Sequence, residues 1–258
     1  MTMTNVLAVF KKEIRSYFVS PVAYGVLTIF ALVAGFFFWI IMGVYQRASL
    51  QGMLQPQMAQ GLNPTDWVFR PMFRNLSVIL LFLMPAVTAR LFAEEKKQGT
   101  AELLFTYPIR DVELLLGKFL AATALALAML GLTLVYPLLL GLFVRIEWGP
   151  TFTGYVGLAL LGMAFLAVGT LISSLTEHQL IAFAVSFGAA LLLWIIGWSA
   201  DAAGGASQKI LKHLSVIEHQ ESFAKGVLET KDIIFYLNFT FFFLFLTLRS
   251  LESKRWRG

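Results

Sequence analysis

Six long apolar runs, separated by polar connectors, dominate the pattern of this chain. They cover about residues 22–44, 72–91, 117–143, 154–175, 180–198 and 233–251. Each is near the roughly 20 residues that carry a helix across the hydrocarbon core of a bilayer. The apolar positions are continuous rather than alternating, which predicts spanning helices and not the strands of a closed barrel.

A different pattern precedes the first run. Val6, Leu7, Val9, Phe10, Ile14, Tyr17 and Phe18 fall mostly on one helical face, with Lys11, Lys12 and Arg15 mostly on the other. The spacing predicts an amphipathic helix over residues 4–20 lying in the membrane interface. Asn5 is its predicted cap and Ser20-Pro21 its stop.

A third pattern separates the second and third runs. After Arg90 the chain reads Leu-Phe-Ala-Glu-Glu-Lys-Lys-Gln-Gly-Thr-Ala-Glu-Leu-Leu-Phe-Thr-Tyr-Pro. The segment 93–110 is too polar for lipid and too patterned for a slack loop. Glu94, Glu95, Lys96 and Lys97 come first. Gly99 breaks that helix, and Thr100 caps a new short one with Glu102 favourably placed at its positive end. Leu103, Leu104 and Tyr107 give the new helix an apolar side, which needs a surface to cover. The segment is therefore read as a surface helix gripped by a cytosolic partner. Thr176-Glu177-His178-Gln179 is a tight turn on the same side, and Glu177 and His178 are candidates for a smaller contact with that partner. Residues 45–71 and 199–232 are predicted polar connectors, the second with helical periodicity in Ile210, Leu211, Leu214 and Ile217. Asp111 is the predicted cap of the third spanning helix.

Composition agrees with this picture. The chain is 58% hydrophobic and only 14% charged, and its mean hydropathy is +0.75. A soluble domain is nearer a quarter charged. The expected fold is all-α: a polytopic integral membrane protein with about six transmembrane helices, forming one transmembrane domain over residues 1–258. There are no cysteines, which excludes disulfides and thiolate sites. The first twenty residues have charged positions and no signal-peptide core, so the first span is expected to be retained. With both termini inside, 12 of the 20 Lys and Arg residues lie in inner segments and 8 in outer ones. That bias favours cytoplasmic termini.

The spans hold almost no ionisable residues, so there is no device for coupling transport to an ion gradient. Nor is there a phosphate-binding loop: Val112 stands where its first Gly would precede Gly117-Lys118. No catalytic, cofactor or metal site is expected. His213 and His219 lack neighbouring ligands and are read as lying on a surface helix. Small residues at four-residue spacing (Ala182, Ser186 and Ala190; Ala122 and Ala126; Gly169 and Ser173) predict close helix packing. Any energy for transport must come from another polypeptide.

These residues together resemble a permease of a type-2 ABC transporter, closest to the gliding-motility-associated, GldF-like subgroup. The resemblance is carried by Lys12-Glu13-Ile14-Arg15-Ser16-Tyr17-Phe18-Val19-Ser20-Pro21, by Pro85, Thr88 and Arg90 with Leu91 to Leu104, and by Gly117-Lys118. Phe223 to Leu228, Lys231-Asp232 and Leu251 to Trp256 continue it, so that it covers nearly the whole chain. It implies a permease, with export as the family's habit, in the bacterial cytoplasmic membrane. It also implies a second permease half, as homodimer or heterodimer, and cytosolic ABC ATPases that bind ATP and Mg. Glu94 to Tyr107 would map onto the coupling helix that docks in the ATPase. A GldG-like auxiliary membrane protein is a further implied partner; nucleic acid is not. Two other classes compete: a non-transport scaffold holding cytosolic partners, and an intramembrane enzyme, for which no convergent acids, histidines or metal ligands are found.

Overall fold

The computed structural model describes residues 3–54, 63–99, 109–202 and 206–255. Among them there are helices and turns but no strand, and six helical stretches are long and apolar enough to cross a membrane. The chain is an all-α, multi-pass membrane protein.

The elements are α1 (Met3–Val19), α2 (Pro21–Leu54), a π turn (Thr65–Phe69), α3 (Arg70–Thr88), α4 (Ala93–Lys97), α5 (Asp111–Thr133), α6 (Val135–Phe143), α7 (Trp148–Leu175), α8 (Gln179–Ala202), α9 (Ala206–Leu214), α10 (Val216–Ala224) and α11 (Thr230–Arg255). Proline starts several of them. Pro21 opens α2, Pro71 lies in the first turn of α3 and Pro150 in that of α7, where a missing N–H is harmless.

Helix α7 is the hub, packed against α3, α5, α8, α10 and α11. Its glycines make this possible. A Cβ on Gly154 would lie 2.1 Å from Phe73, and one on Gly157 2.6 Å from both Gln220 and Phe223. The most apolar window of α7 is 67% buried and that of α3 is 72%, against 17% for α2 and 11% for α11. The first two are the centre of the bundle, while the others turn most of their apolar side chains outward to lipid. The small stripe Ala182, Ser186, Ala190 on α8 is buried, as are Ala122 and Ala126 on α5.

Several connections differ from expectation. Residues 45–54 continue α2, and Thr65–Phe69 form a π turn that runs into α3, so the first connector is helical over much of its described length. Asn63 and Thr65 tie that turn to Glu147 at 2.7 and 3.1 Å. The third span is broken at Leu134. Pro137 has no N–H to offer the Thr133 carbonyl, and the Tyr155 hydroxyl donates to it instead at 2.9 Å. Asp111 is the first residue of α5, not its cap; Arg110 takes that place, its N–H donating to Glu113 Oε2 at 3.3 Å. Asn5 lies within α1 rather than capping it, and its amide donates to Glu113 Oε2 at 2.9 Å.

The second connector holds the largest departure. The periodicity from Ile210 to Ile217 is divided between α9 and α10, and Ser215 caps α10 by accepting from the Glu218 N–H. His219 is buried rather than on a surface. Its Nδ1 is 2.6 Å from Asp232 Oδ1, its Nε2 is 3.1 Å from the His213 carbonyl, and Phe235 stacks on its ring. The nearby Tyr236 hydroxyl donates to the Val216 carbonyl at 2.6 Å. These contacts pin α10 to the start of α11.

Candidate functional site

At the opposite end of α7 from this hairpin, four segments distant in sequence meet. The first is α1, whose Val9, Glu13 and Tyr17 are buried while Lys11, Lys12 and Arg15 are exposed. It lies against α5 at Gly117, where an added Cβ would fall 2.6 Å from Val9 and 3.1 Å from the Val6 carbonyl. Only glycine lets the two backbones come so close.

The next residue, Lys118, is the centre of the site. Its side chain is 1% exposed. The ammonium lies 2.8 Å from Glu95 Oε1, 3.1 Å from Glu13 Oε1 and 2.8 Å from the Leu91 carbonyl, and 5.3 Å from the centre of the Phe92 ring. Lys12 approaches from the surface, 3.4 Å from the same Glu95 oxygen and 3.8 Å from Glu13. Two carboxylates therefore face two ammonium groups, one buried and one exposed. A buried cation is tolerated only when paired and hydrogen-bonded, and Lys118 has its three donors directed at three oxygens. Beside it, Arg90 lies over the Tyr17 ring at 4.9 Å. Burial pushes the Tyr17 hydroxyl well above its ordinary pKa; Glu13 adds to this and Arg90 opposes it.

The turn from α3 into α4 is held from the other side by α7. The Ser173 hydroxyl accepts from the Phe92 and Ala93 N–H groups at 3.1 and 3.3 Å and donates to the Ala89 carbonyl at 3.2 Å. These are backbone groups that a helix end leaves unpaired. The Lys96 ammonium donates to the Ser174 carbonyl. One helical turn back, Gly169 faces Thr88, and an added Cβ would sit 2.0 Å from its Oγ1. Ala89 and Ala93 pack on Ala182 of α8. Helix α4 is thus rooted in α5 and α1 through Glu95, and in α7 through Lys96 and its own first N–H. It ends at Gly99, whose φ of +68° only glycine adopts readily.

Glu94 is half-buried, Glu95 is engaged by Lys118 and Lys12, and Gly99 is exposed. Thr100, Glu102, Leu103, Leu104 and Tyr107 lie outside the described residues. Glu177 and His178 are exposed in the turn between α7 and α8, with the His178 N–H donating to Thr176 Oγ1 at 3.2 Å. That turn adjoins α4, since Ala182 follows His178 by one helical turn and touches Ala93. Sequence reasoning met Glu13 and Lys118 within stretches that carry the family resemblance, and Lys118 also as an inner charge, but assigned neither to a site. A signal was there: Glu13 is the one acid of α1, and Lys118 is a lone cation within an apolar run, so each needed a partner. Among the described residues there is no group of three or more His, Asp or Glu that could hold a metal ion.

The family model described as "ABC-2 family transporter protein" matches residues 58–200, more than half of the chain. The match takes in Glu95, Lys118, Ser173 and the Glu177-His178 turn, but not α1. No curated protein matches the chain.

Proposed function

From a chain that belongs to the ABC-2 transporter family, as a multi-pass permease component rather than a catalytic one, we propose a subunit that takes its work from a separate ABC ATPase. In this reading α4 and the residues after it, with the Glu177-His178 turn beside them, are the surface on which the ATPase docks. The observation that carries it is the rooting of α4. An outside push on a loosely tethered loop would be absorbed by the loop. Here α4 is joined by ion pairs to α5 and α1 and by hydrogen bonds to α7, and α7 is packed against α3, α5, α8, α10 and α11. Force applied at α4 therefore reaches the centre of the bundle. ATP-driven closure of two ATPases would tilt these helices as bodies and change the side on which a path opens.

The finer reading places the protein in the bacterial cytoplasmic membrane with both termini and α4 in the cytosol, as an exporter of the GldF-like subgroup. A second permease half completes the path, and a GldG-like membrane protein is a further partner. ATP and Mg bind in the ATPase, not in this chain.

Gly99→Pro is the clean test of docking. Proline cannot adopt the φ of +68° and has no N–H to donate to the Lys96 carbonyl, 3.1 Å away. It leaves Lys118, Glu13 and Glu95 in place. Affinity for the ATPase is expected to fall at least tenfold, about 1.4 kcal/mol, with membrane insertion unchanged. Glu95→Lys, which adds a third cation to the cluster, is expected to do the same. Variants that bind the ATPase at wild-type strength would overturn the docking assignment. Nucleotide-driven substrate movement in vesicles separates a permease from a scaffold that merely recruits partners.

A further inference from the structure

The residues of α1 divide into three sectors. Val9, Glu13 and Tyr17 are packed inward. A second sector, Met3, Leu7 and Phe18, is apolar and exposed. The third carries Lys11, Lys12 and Arg15, all exposed. A surface helix whose inner side is already packed has no use in water for another apolar strip. An apolar strip flanked by cations is the pattern of a helix lying at a bilayer boundary. The cations then narrow the choice of headgroup. The only acid of α1, Glu13, is turned inward toward Lys118, so the outward sector is wholly cationic. A leaflet of anionic phospholipid complements it, and a zwitterionic one does not.

We infer that Lys11, Lys12 and Arg15 form a headgroup site for anionic phospholipid, and that Lys12 links this site to the root of α4. The Lys12 side chain is 58% exposed, yet its ammonium is 3.4 Å from Glu95 Oε1. It stands between the headgroups and the buried cluster. A lipid phosphate that draws Lys12 outward takes one of two ammonium groups away from the Glu13 and Glu95 carboxylates. The hold on Glu95 weakens, and α4 gains freedom. The charge of the surrounding leaflet thus sets how firmly α4 is held. The inference rests on α1 lying at the membrane boundary and not on the identity of the docking partner. It can fail with ATPase binding intact, and the reverse also holds.

The test uses the full chain in nanodiscs of phosphatidylcholine, alone or mixed with phosphatidylglycerol. Native mass spectrometry reads which lipid is retained. The wild type is expected to enrich phosphatidylglycerol, and Lys11→Gln with Arg15→Gln to lower that enrichment about fivefold per charge removed. Raising the salt must lower it without any substitution. A nitroxide on Lys97→Cys, in a chain with no other cysteine, reads α4. Its mobility is expected to rise in the anionic discs, and the rise to vanish with Lys12→Gln. Absent enrichment, or enrichment indifferent to both the double substitution and salt, overturns the headgroup site. Enrichment with an unmoved nitroxide overturns the link through Lys12. A nitroxide response to inorganic phosphate in neutral discs overturns the lipid in favour of a free anion.

Discussion

Lys118→Met is expected to cost about 3–5 kcal/mol of stability, the loss typical when one partner of a buried ion pair is removed. Methionine fills a similar volume but leaves Glu13 and Glu95 facing the same space without the buried cation that lay between them, and the Lys12 beside them is exposed. The Leu91 carbonyl also loses its donor. Heat denaturation of the purified protein in one detergent should show a lowered midpoint. Protease should cut at the α1–α2 junction near Ser20, because Glu13 no longer fastens α1 to α5. Adding Glu13→Gln and Glu95→Gln to the methionine variant should restore most of the loss. Removing a whole buried charge set is commonly near neutral, whereas removing one member strands the others. A Lys118→Met protein as stable as the wild type would show that the cluster fastens nothing.

Gly169→Ala is expected to strain the crossing of α3 and α7, at about 1–3 kcal/mol for an overpacked contact. The new methyl would lie 2.0 Å from Thr88 Oγ1 and 2.9 Å from Thr88 Cβ. Thr88 cannot easily yield. Its hydroxyl donates within α3, to the Met84 and Pro85 carbonyls at 3.0 and 3.2 Å, and its Cβ is fixed by the backbone. The helices must separate instead. Ser173 lies one turn along the same face of α7, so its three bonds to the α3–α4 turn lengthen with the crossing. Stability and ATPase docking should fall together. Thr88→Gly combined with Gly169→Ala moves the methyl to the other helix and should recover much of the loss, a coupling that a double-mutant cycle measures. A Gly169→Ala protein with an unchanged denaturation midpoint would mean that the crossing has room to spare.

The apolar runs were legible because lipid constrains composition along the chain itself: no neighbour need be known to see that a stretch is apolar throughout. The small residue pairs were legible for a related reason. Gly169 and Ser173 share a helix face by spacing alone; the first takes Thr88 at the end of α3 and the second holds the α3–α4 turn. What sequence reasoning could not supply was pairing across the chain. Glu13 and Lys118 are 105 residues apart; each stood out in its own segment as a charge in need of a partner, but nothing local said which partner. His219 and Asp232 were hidden in the same way: local periodicity suggested a surface helix, but the reversal at Ser215 turns His219 inward. The break in the third span turned on a side chain from another helix, Tyr155, which serves the carbonyl that Pro137 leaves open.

The claim on which the rest depends is that α4 faces the cytosol as the handle for the ATPase. The absence of native cysteine makes it directly measurable. Lys97 is exposed at the end of α4, so Lys97→Cys offers a single reactive thiol. In intact cells a membrane-impermeant maleimide is expected to leave it unlabelled. Opening the membrane should make it react, and bound ATPase should slow that reaction. Labelling of Lys97→Cys in intact cells would place α4 on the outer side and contradict the account.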